Sequence, residues 1–268
     1  MLKQLVSMLS RIVDHFGYKV SRNKTVFDSD DPYVIISRII DPKTVKVIID
    51  AGASIGNTTV KLSSLFPKST VYAFEPYPLF IKQLDERAKK NNNIKVVPFA
   101  LGYENGRRFF NVNQSEGTNS LLKSGDKARE IYGSLIDQKD LIEINAKTLD
   151  LWSCENNISK IDILKLDLQG GELDALKGAD KLLKFGKVKS ILCEVMFTTC
   201  YEEQANWTEL VSYIENSGFQ LFNLYQENHY NGKILQADLL FIHENSMDIS
   251  MKMAKKHFLP FSNILSNA

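Results

Sequence analysis

Hydrophobic positions follow two rhythms along this chain. Short, unbroken apolar runs rich in β-branched residues alternate with longer stretches in which apolar positions return every three or four residues. The first rhythm predicts strands buried on both faces of a sheet, the second amphipathic helices. The alternating units begin at Val45, with a strand over residues 45–49 and a helix over 57–66. A second strand at 70–75 leads to a helix from Pro78 to about Lys90, with proline in its first turn. Asn91-Asn92-Asn93 breaks that helix, and a third strand covers 94–100. Two shorter strands, 109–112 and 141–146, flank a polar insert at 113–140. Next come a strand at 161–166, a helix at 171–183, a strand at 188–194 and a helix marked by Trp207, Leu210, Val211 and Ile214. Residues 219–225 and 237–243 read as a closing antiparallel pair joined through Asn231-Gly232. The pattern is that of one α/β domain over residues 45–245.

Two segments flank that domain. In residues 1–44, Leu2, Leu5, Val6, Leu9, Ile12, Val13 and Phe16 form one helical stripe capped near Gly17. A connection of mixed character follows, containing the apolar run 33–40. The stripe needs a surface to cover it: the domain itself, a second copy of the chain, or a membrane interface. The last option draws on Lys3, Arg11, Lys19, Arg22 and Lys24, opposed only by Asp14. Residues 246–268 form a lysine-containing tail, expected to be helical as far as Pro260.

Composition narrows the class. The 268 residues are 44% hydrophobic and 24% charged, which fits a globular enzyme. A net charge of +1 gives no reason to expect a nucleic-acid partner. Cys154, Cys193 and Cys200 are an odd number without a CxxC pair, so neither a disulfide framework nor a zinc site is expected. With no apolar run approaching ~20 residues and no secretory leader pattern, a cytoplasmic location is expected, peripheral at the inner membrane face if the stripe docks there.

The chemistry gathers at the strand ends. VKVIIDAGASIG is a strand leading into a glycine-framed turn and a helix, the place where an open α/β sheet holds its ligand. Asp50, Glu75, Asp167 and Glu194 each close an apparent strand, so a parallel sheet brings four carboxylates to one edge. A pyrophosphate there would meet repulsion of about 4 kcal/mol per pair of charges at an effective dielectric of ~20. An acid ending the second strand suits a ribose diol, whereas Asp50, just before the first glycine, suits an ammonium or sulfonium. The spacing Asp50-x-Gly52-x-x-x-Gly56 is not GxGxxG. S-adenosylmethionine carries both cations and a ribose.

The stretches VIIDAGASIGNTT, VYAFEPYP, KVVPFALG, DILKLDLQGGELDALKGA, ILCEVMF and GFQLFNLY with QADLLFIH together resemble the FkbM-type family of S-adenosylmethionine-dependent methyltransferases. The resemblance covers about residues 45–243. It implies a Rossmann-like class I methyltransferase fold: a seven-stranded, mostly parallel sheet with helices on both faces. It also implies O-methylation of a hydroxyl, often on a sugar, glycan or polyketide-type product. Asp50, Gly52, Ala53, Ser54 and Gly56 would then shape the methionine side of the cofactor pocket. Glu75, with Pro76 beside it, would bind the ribose, and Ala100 and Leu101 would lie near the adenine. Two departures stand out: Ser54 where the family often has Asn, and Gln169 where the DxEGxE pattern often has Glu.

Methyl transfer to an alcohol needs alignment of the acceptor oxygen and benefits from a base, worth typically ~10²–10⁴-fold. Asp167, Glu172 and Glu194 are the candidates. Asp167 is favoured for its place at the end of the central strand, with contact to the cofactor's amino group as its rival role. Lys165 could hold the acceptor oxygen or a neighbouring carboxylate, or be a buried lysine paired with an acid for structural reasons. Thr118, Asn119 and Ser120 of the insert read as an acceptor loop or as a solvated turn, and Asp238 is placed at the pocket mouth. His229 and His243 read as ordinary polar residues, and no ligand spacing supports a metal. A competing class is a non-enzymatic module that keeps the sheet and binds a nucleotide, with Gln169 as its sign. An NAD-dependent enzyme is disfavoured by Asp50 and the missing GxGxxG.

Overall fold

The computed structural model describes residues 30–246. The stripe within residues 1–16 and the tail beyond 246 lie outside the described residues. In chain order the strands are β1 (Val47–Ala51), β2 (Thr70–Phe74), β3 (Ile94–Val97), β4 (Ala100–Leu101), β5 (Gly106–Asn113), β6 (Gln138–Lys147), β7 (Ile161–Leu166), β8 (Val188–Met196), β9 (Phe219–Tyr230) and β10 (Lys233–His243). Seven of them form one sheet in the order β3-β2-β1-β7-β8-β10-β9. β10 runs antiparallel to both its neighbours, while the pairings among β3, β2, β1, β7 and β8 are parallel. This is the seven-stranded, mostly parallel sheet expected. The order reverses between β1 and β7, which opens a crevice at their carboxyl ends.

The helices are α1 (Pro32–Ile39), α2 (Asn57–Leu65), α3 (Pro78–Ala88), α4 (Asp126–Tyr132), α5 (Leu149–Glu155), α6 (Glu172–Lys177), α7 (Asp180–Lys184) and α8 (Trp207–Asn216). Ile48, Val71, Ile163, Leu192, Leu240 and Ile242 meet Ile35 and Ile36 of α1 and Leu62 of α2 in one cluster. A second cluster joins Ile49, Phe74, Leu164, Leu166 and Cys193 to Trp152 of α5, Leu173 and Leu176 of α6, Leu183 of α7 and Ile214 of α8. The strands are therefore apolar on both faces because both faces are covered, with each fully buried Ile or Leu contributing about 1.5–3 kcal/mol.

Four expectations change. The apolar run 33–40 is α1, not part of a loose connection: Asp31 accepts the Tyr33 N–H at 3.0 Å and Pro32 opens the first turn. The third strand splits, because Pro98 has no N–H for a ladder. β3 stays in the main sheet, while β4 crosses to β6, the middle strand of a small second sheet with β5 on its far side. The helix expected at 171–183 is two helices. Gly178 sits between them so close to the chain that an added Cβ would lie 2.1 Å from the Gly102 carbonyl oxygen. The closing hairpin is longer than expected, since β9 continues to Tyr230 and β10 starts at Lys233.

Candidate active site

A cavity of about 640 Å³ opens at the carboxyl ends of the central strands, a volume in the range that holds small-molecule ligands. One side is built by the loop after β1. Gly52 has φ +74°, and an added Cβ would lie 1.9 Å from the Asp167 carbonyl oxygen, so only a glycine lets β1 and β7 end this close together. Ser54, also in the left-handed region at φ +50°, donates its backbone N–H to Glu75 Oε2 at 2.8 Å. The Tyr77 N–H holds Oε1 at the same distance. Glu75 is thus fixed at the cavity wall with a lone pair left on each oxygen. Burial pushes its carboxyl up to about 7, against the pull of those two N–H groups and of Lys165. Pro76, Ala100 and Leu101 continue this wall with Phe99.

Other expected residues are set back from the cavity. Asp50 is fully buried behind the loop, accepting the Thr59 hydroxyl at 2.6 Å and facing Lys165 Nζ at 3.3 Å. Ala53 packs with Ala73, Leu84 and Ile94, and Gly56 is the left-handed residue that starts α2. Lys165 is buried among these residues. Its Nζ lies 3.3 Å from Asp50 and 3.4 Å from Asp167, and donates to the Gly52 carbonyl at 3.1 Å. Burial alone would lower its pKa; the charges of Asp167 and Asp50 outweigh that and raise it. The carboxylate edge expected from the strand ends therefore has a buried cation within it.

Of the three candidate bases, two line the cavity. Asp167 and Glu194 do; Glu172 does not. As the first residue of α6, Glu172 turns back to accept the Leu168 N–H at 2.6 Å, a loop-fixing contact. Burial raises it to about 7. Glu194 accepts the Gln169 amide at 2.7 Å on Oε2 and the Gln236 amide at 2.7 Å on Oε1. Burial, then Asp167 and Glu172, drive its pKa well up. Thr118 and Asn119 line the cavity, whereas Ser120 is buried and donates to the Gln169 carbonyl at 2.8 Å. Asp238 stands across from Glu194 in the β8–β10 register but is not part of the wall; Gln236 takes the expected place. Burial raises Asp238 to about 6.

Sequence reasoning missed part of the far wall. Tyr132 of α4 and Asn228, His229 and Tyr230 of the β9–β10 hairpin all line it. His229 carries no motif, and α4 shows only a narrow apolar face. His243, by contrast, is buried against Phe219, 5.0 Å between ring centroids.

A sequence profile described as the methyltransferase FkbM domain matches residues 50–221. Methyltransferase 1 of Beauveria bassiana is 26% identical over 144 residues, covering 50% of this chain and 58% of that protein. The 2-O-methyltransferase NoeI of Sinorhizobium fredii is 25% identical over 163 residues, covering 59% of this chain and 66% of that protein. The chain thus spans less than two thirds of the length of either relative. Among solved structures, the methyltransferase FkbM from Methylobacillus flagellatus KT is 17% identical with a TM-score of 0.49, covering 80% of this chain and 48% of that one.

Proposed function

Because the chain belongs to the FkbM methyltransferase family, we propose that it is an S-adenosylmethionine-dependent O-methyltransferase acting on a hydroxyl of a sugar, glycan or glycolipid. The observation that carries the cofactor is Glu75, held by two backbone N–H groups at the cavity wall with acceptor capacity left for a ribose diol. Gly52, whose missing side chain lets the ends of β1 and β7 close together, lines the same wall. Phe99, Ala100 and Leu101 give the apolar surface an adenine needs. Bound there, S-adenosylmethionine supplies an electrophilic methyl group on a positively charged sulfur.

The chain's own residues then have three tasks. Gly52 and Ser54 border the methionine side of the cofactor, with Asp167 available to its amino group. The far wall orients the acceptor through uncharged polar groups such as Asn119, Asn228, Gln236 and Tyr132, which suit a neutral polyhydroxylated ligand. The hydroxyl proton goes to a carboxylate at the cavity, Asp167 or Glu194. The printed name of the 2-O-methyltransferase relative supports transfer to oxygen. This reading keeps a peripheral membrane contact through residues 1–20, tested by liposome flotation of intact and truncated protein: no binding by the intact chain removes it.

The deciding experiment is calorimetric titration of S-adenosylmethionine and, separately, NAD, followed by transfer of labelled methyl to a panel of neutral glycosides. Glu75→Gln is expected to weaken S-adenosylmethionine binding about 10–100-fold, the size of a lost hydrogen bond to a charged group. NAD binding alone overturns the reading. Binding of neither cofactor, with or without glycosides present, points to the non-enzymatic module.

A further inference from the structure

Gln169 uses its whole amide within one network. Its two N–H groups are divided between Asp167 Oδ1 at 3.0 Å and Glu194 Oε2 at 2.7 Å, and its carbonyl accepts the Tyr201 hydroxyl at 3.0 Å. The backbone is left-handed there, at φ +52°, a conformation uncommon for a residue with a side chain. The Ser120 hydroxyl donates to its backbone carbonyl at 2.8 Å, so insert and loop fix the residue from both sides. Gln236 holds the second oxygen of Glu194 at 2.7 Å, and Tyr132 reaches Gln236 at 3.3 Å. The amide orientation follows from the partners: the Tyr201 hydroxyl donates to its oxygen, so the NH₂ faces the acceptor oxygens of Asp167 and Glu194. A glutamate at this position would put a third acid between two others, and the three would share protons.

We infer that Gln169 is a positioning residue that separates the duties of the two carboxylates. It holds Asp167 on the Lys165 side and leaves Glu194, oriented from both ends by glutamine amides, as the group that takes the acceptor's proton. This rests on the methyltransferase reading above. In the step, the acceptor O–H bond breaks and its proton passes to a Glu194 oxygen. The oxygen's electron pair forms the new bond to the methyl carbon, and the electron pair of the broken sulfur–carbon bond stays on sulfur. The groups facing Glu194 are Lys165 and Asp167 from β7 and its end, Glu172 from α6 and Asp238 from β10. Tyr132 from α4, Cys193 beside it on β8, and Cys200 and Tyr201 after β8 complete the set. Against that acidic surround, the charge of Lys165 and the two N–H donors favour the ionised form.

The test is a pH titration of the full chain labelled with ¹³C at glutamate carboxyl carbons, the Glu194 signal being the one lost in Glu194→Gln. In Gln169→Leu the Glu194 midpoint should move up by about 1–2 on the pH scale, the size of one charge-assisted hydrogen bond. In the near-isosteric Gln169→Glu it should split into two steps shared among three acids. Gln169→Glu carries the test alone if Gln169→Leu fails to fold. A Glu194 midpoint within about 0.3 of wild type in the folded variants overturns the inference, since a structural role would lower the melting temperature and leave the titration in place. Failure to bind S-adenosylhomocysteine would sink the methyltransferase reading without touching this titration.

Discussion

At the scale of single residues, the site is a set of carboxylates given different partners. Glu75 accepts backbone N–H groups, Asp50 and Asp167 face Lys165, and Glu194 accepts side-chain amides. These partners set what each substitution should do. Lys165→Met would leave the fully buried Asp50 beside an uncharged side chain, at a cost of about 3–5 kcal/mol. The pair Lys165→Met with Asp50→Asn should recover much of that loss in a urea melt, and no recovery would mean Lys165 acts mainly on Asp167. Gly52→Ala should weaken S-adenosylhomocysteine binding at least about tenfold in calorimetry, because the strain of a positive φ adds to a clash with backbone. Glu75 and Gly52 were legible in the sequence because strand ends and glycine turns are local signals. The roles of Gln169, Gln236 and Tyr201 were not, since an amide bridging two strands through space leaves no spacing to read. The burial of Asp50 was not legible for a related reason. The apolar run says that it closes a strand, not that Lys165, distant in sequence but its register partner on the neighbouring β7, faces it.

At the scale of elements, the parallel strands were the most readable feature, being apolar on both faces and bounded by turn residues. The errors fell where a short element depends on tertiary cover. α1 is eight residues long and would be marginal alone, yet its Ile35 and Ile36 are fully buried against the sheet. α4 fully buries only Ala128, so its narrow apolar face gave too weak a periodic signal to read. The packing of α1 leads to a testable claim about a segment that precedes the matched family domain. Ile35→Ala and Ile36→Ala should each destabilise the protein by about 2–5 kcal/mol in denaturant unfolding. Values below about 1 kcal/mol would mean that α1 is not part of the cooperative fold.

At the scale of the whole molecule, burying several acids makes stability depend on pH in an unusual direction. Glu75 and Glu172 are raised to about 7 and Asp238 to about 6, burial being the largest cause in each. Between their unfolded values near ~4 and these raised values, the folded chain holds more protons than the unfolded chain. Stability from these groups is therefore greatest at the acidic end of that window and falls as pH rises through 6 to 7. The melting temperature of the ligand-free protein should drop by several degrees from pH 5.5 to pH 8, and a rise over that range would contradict the buried-acid account. Stabilisation by S-adenosylhomocysteine should run the other way, growing as Glu75 ionises to receive the ribose. The family profile also divides the cavity. The Glu75 wall falls within the matched segment 50–221, whereas Asn228, His229, Tyr230 and Gln236 come from a hairpin tip beyond it. One contiguous exchange of residues 226–236 would rewrite the hairpin's share of the opposite wall while leaving Gly52, Glu75 and Asp167 unchanged. On the proposed function, such an exchange would change the acceptor while sparing the cofactor's wall.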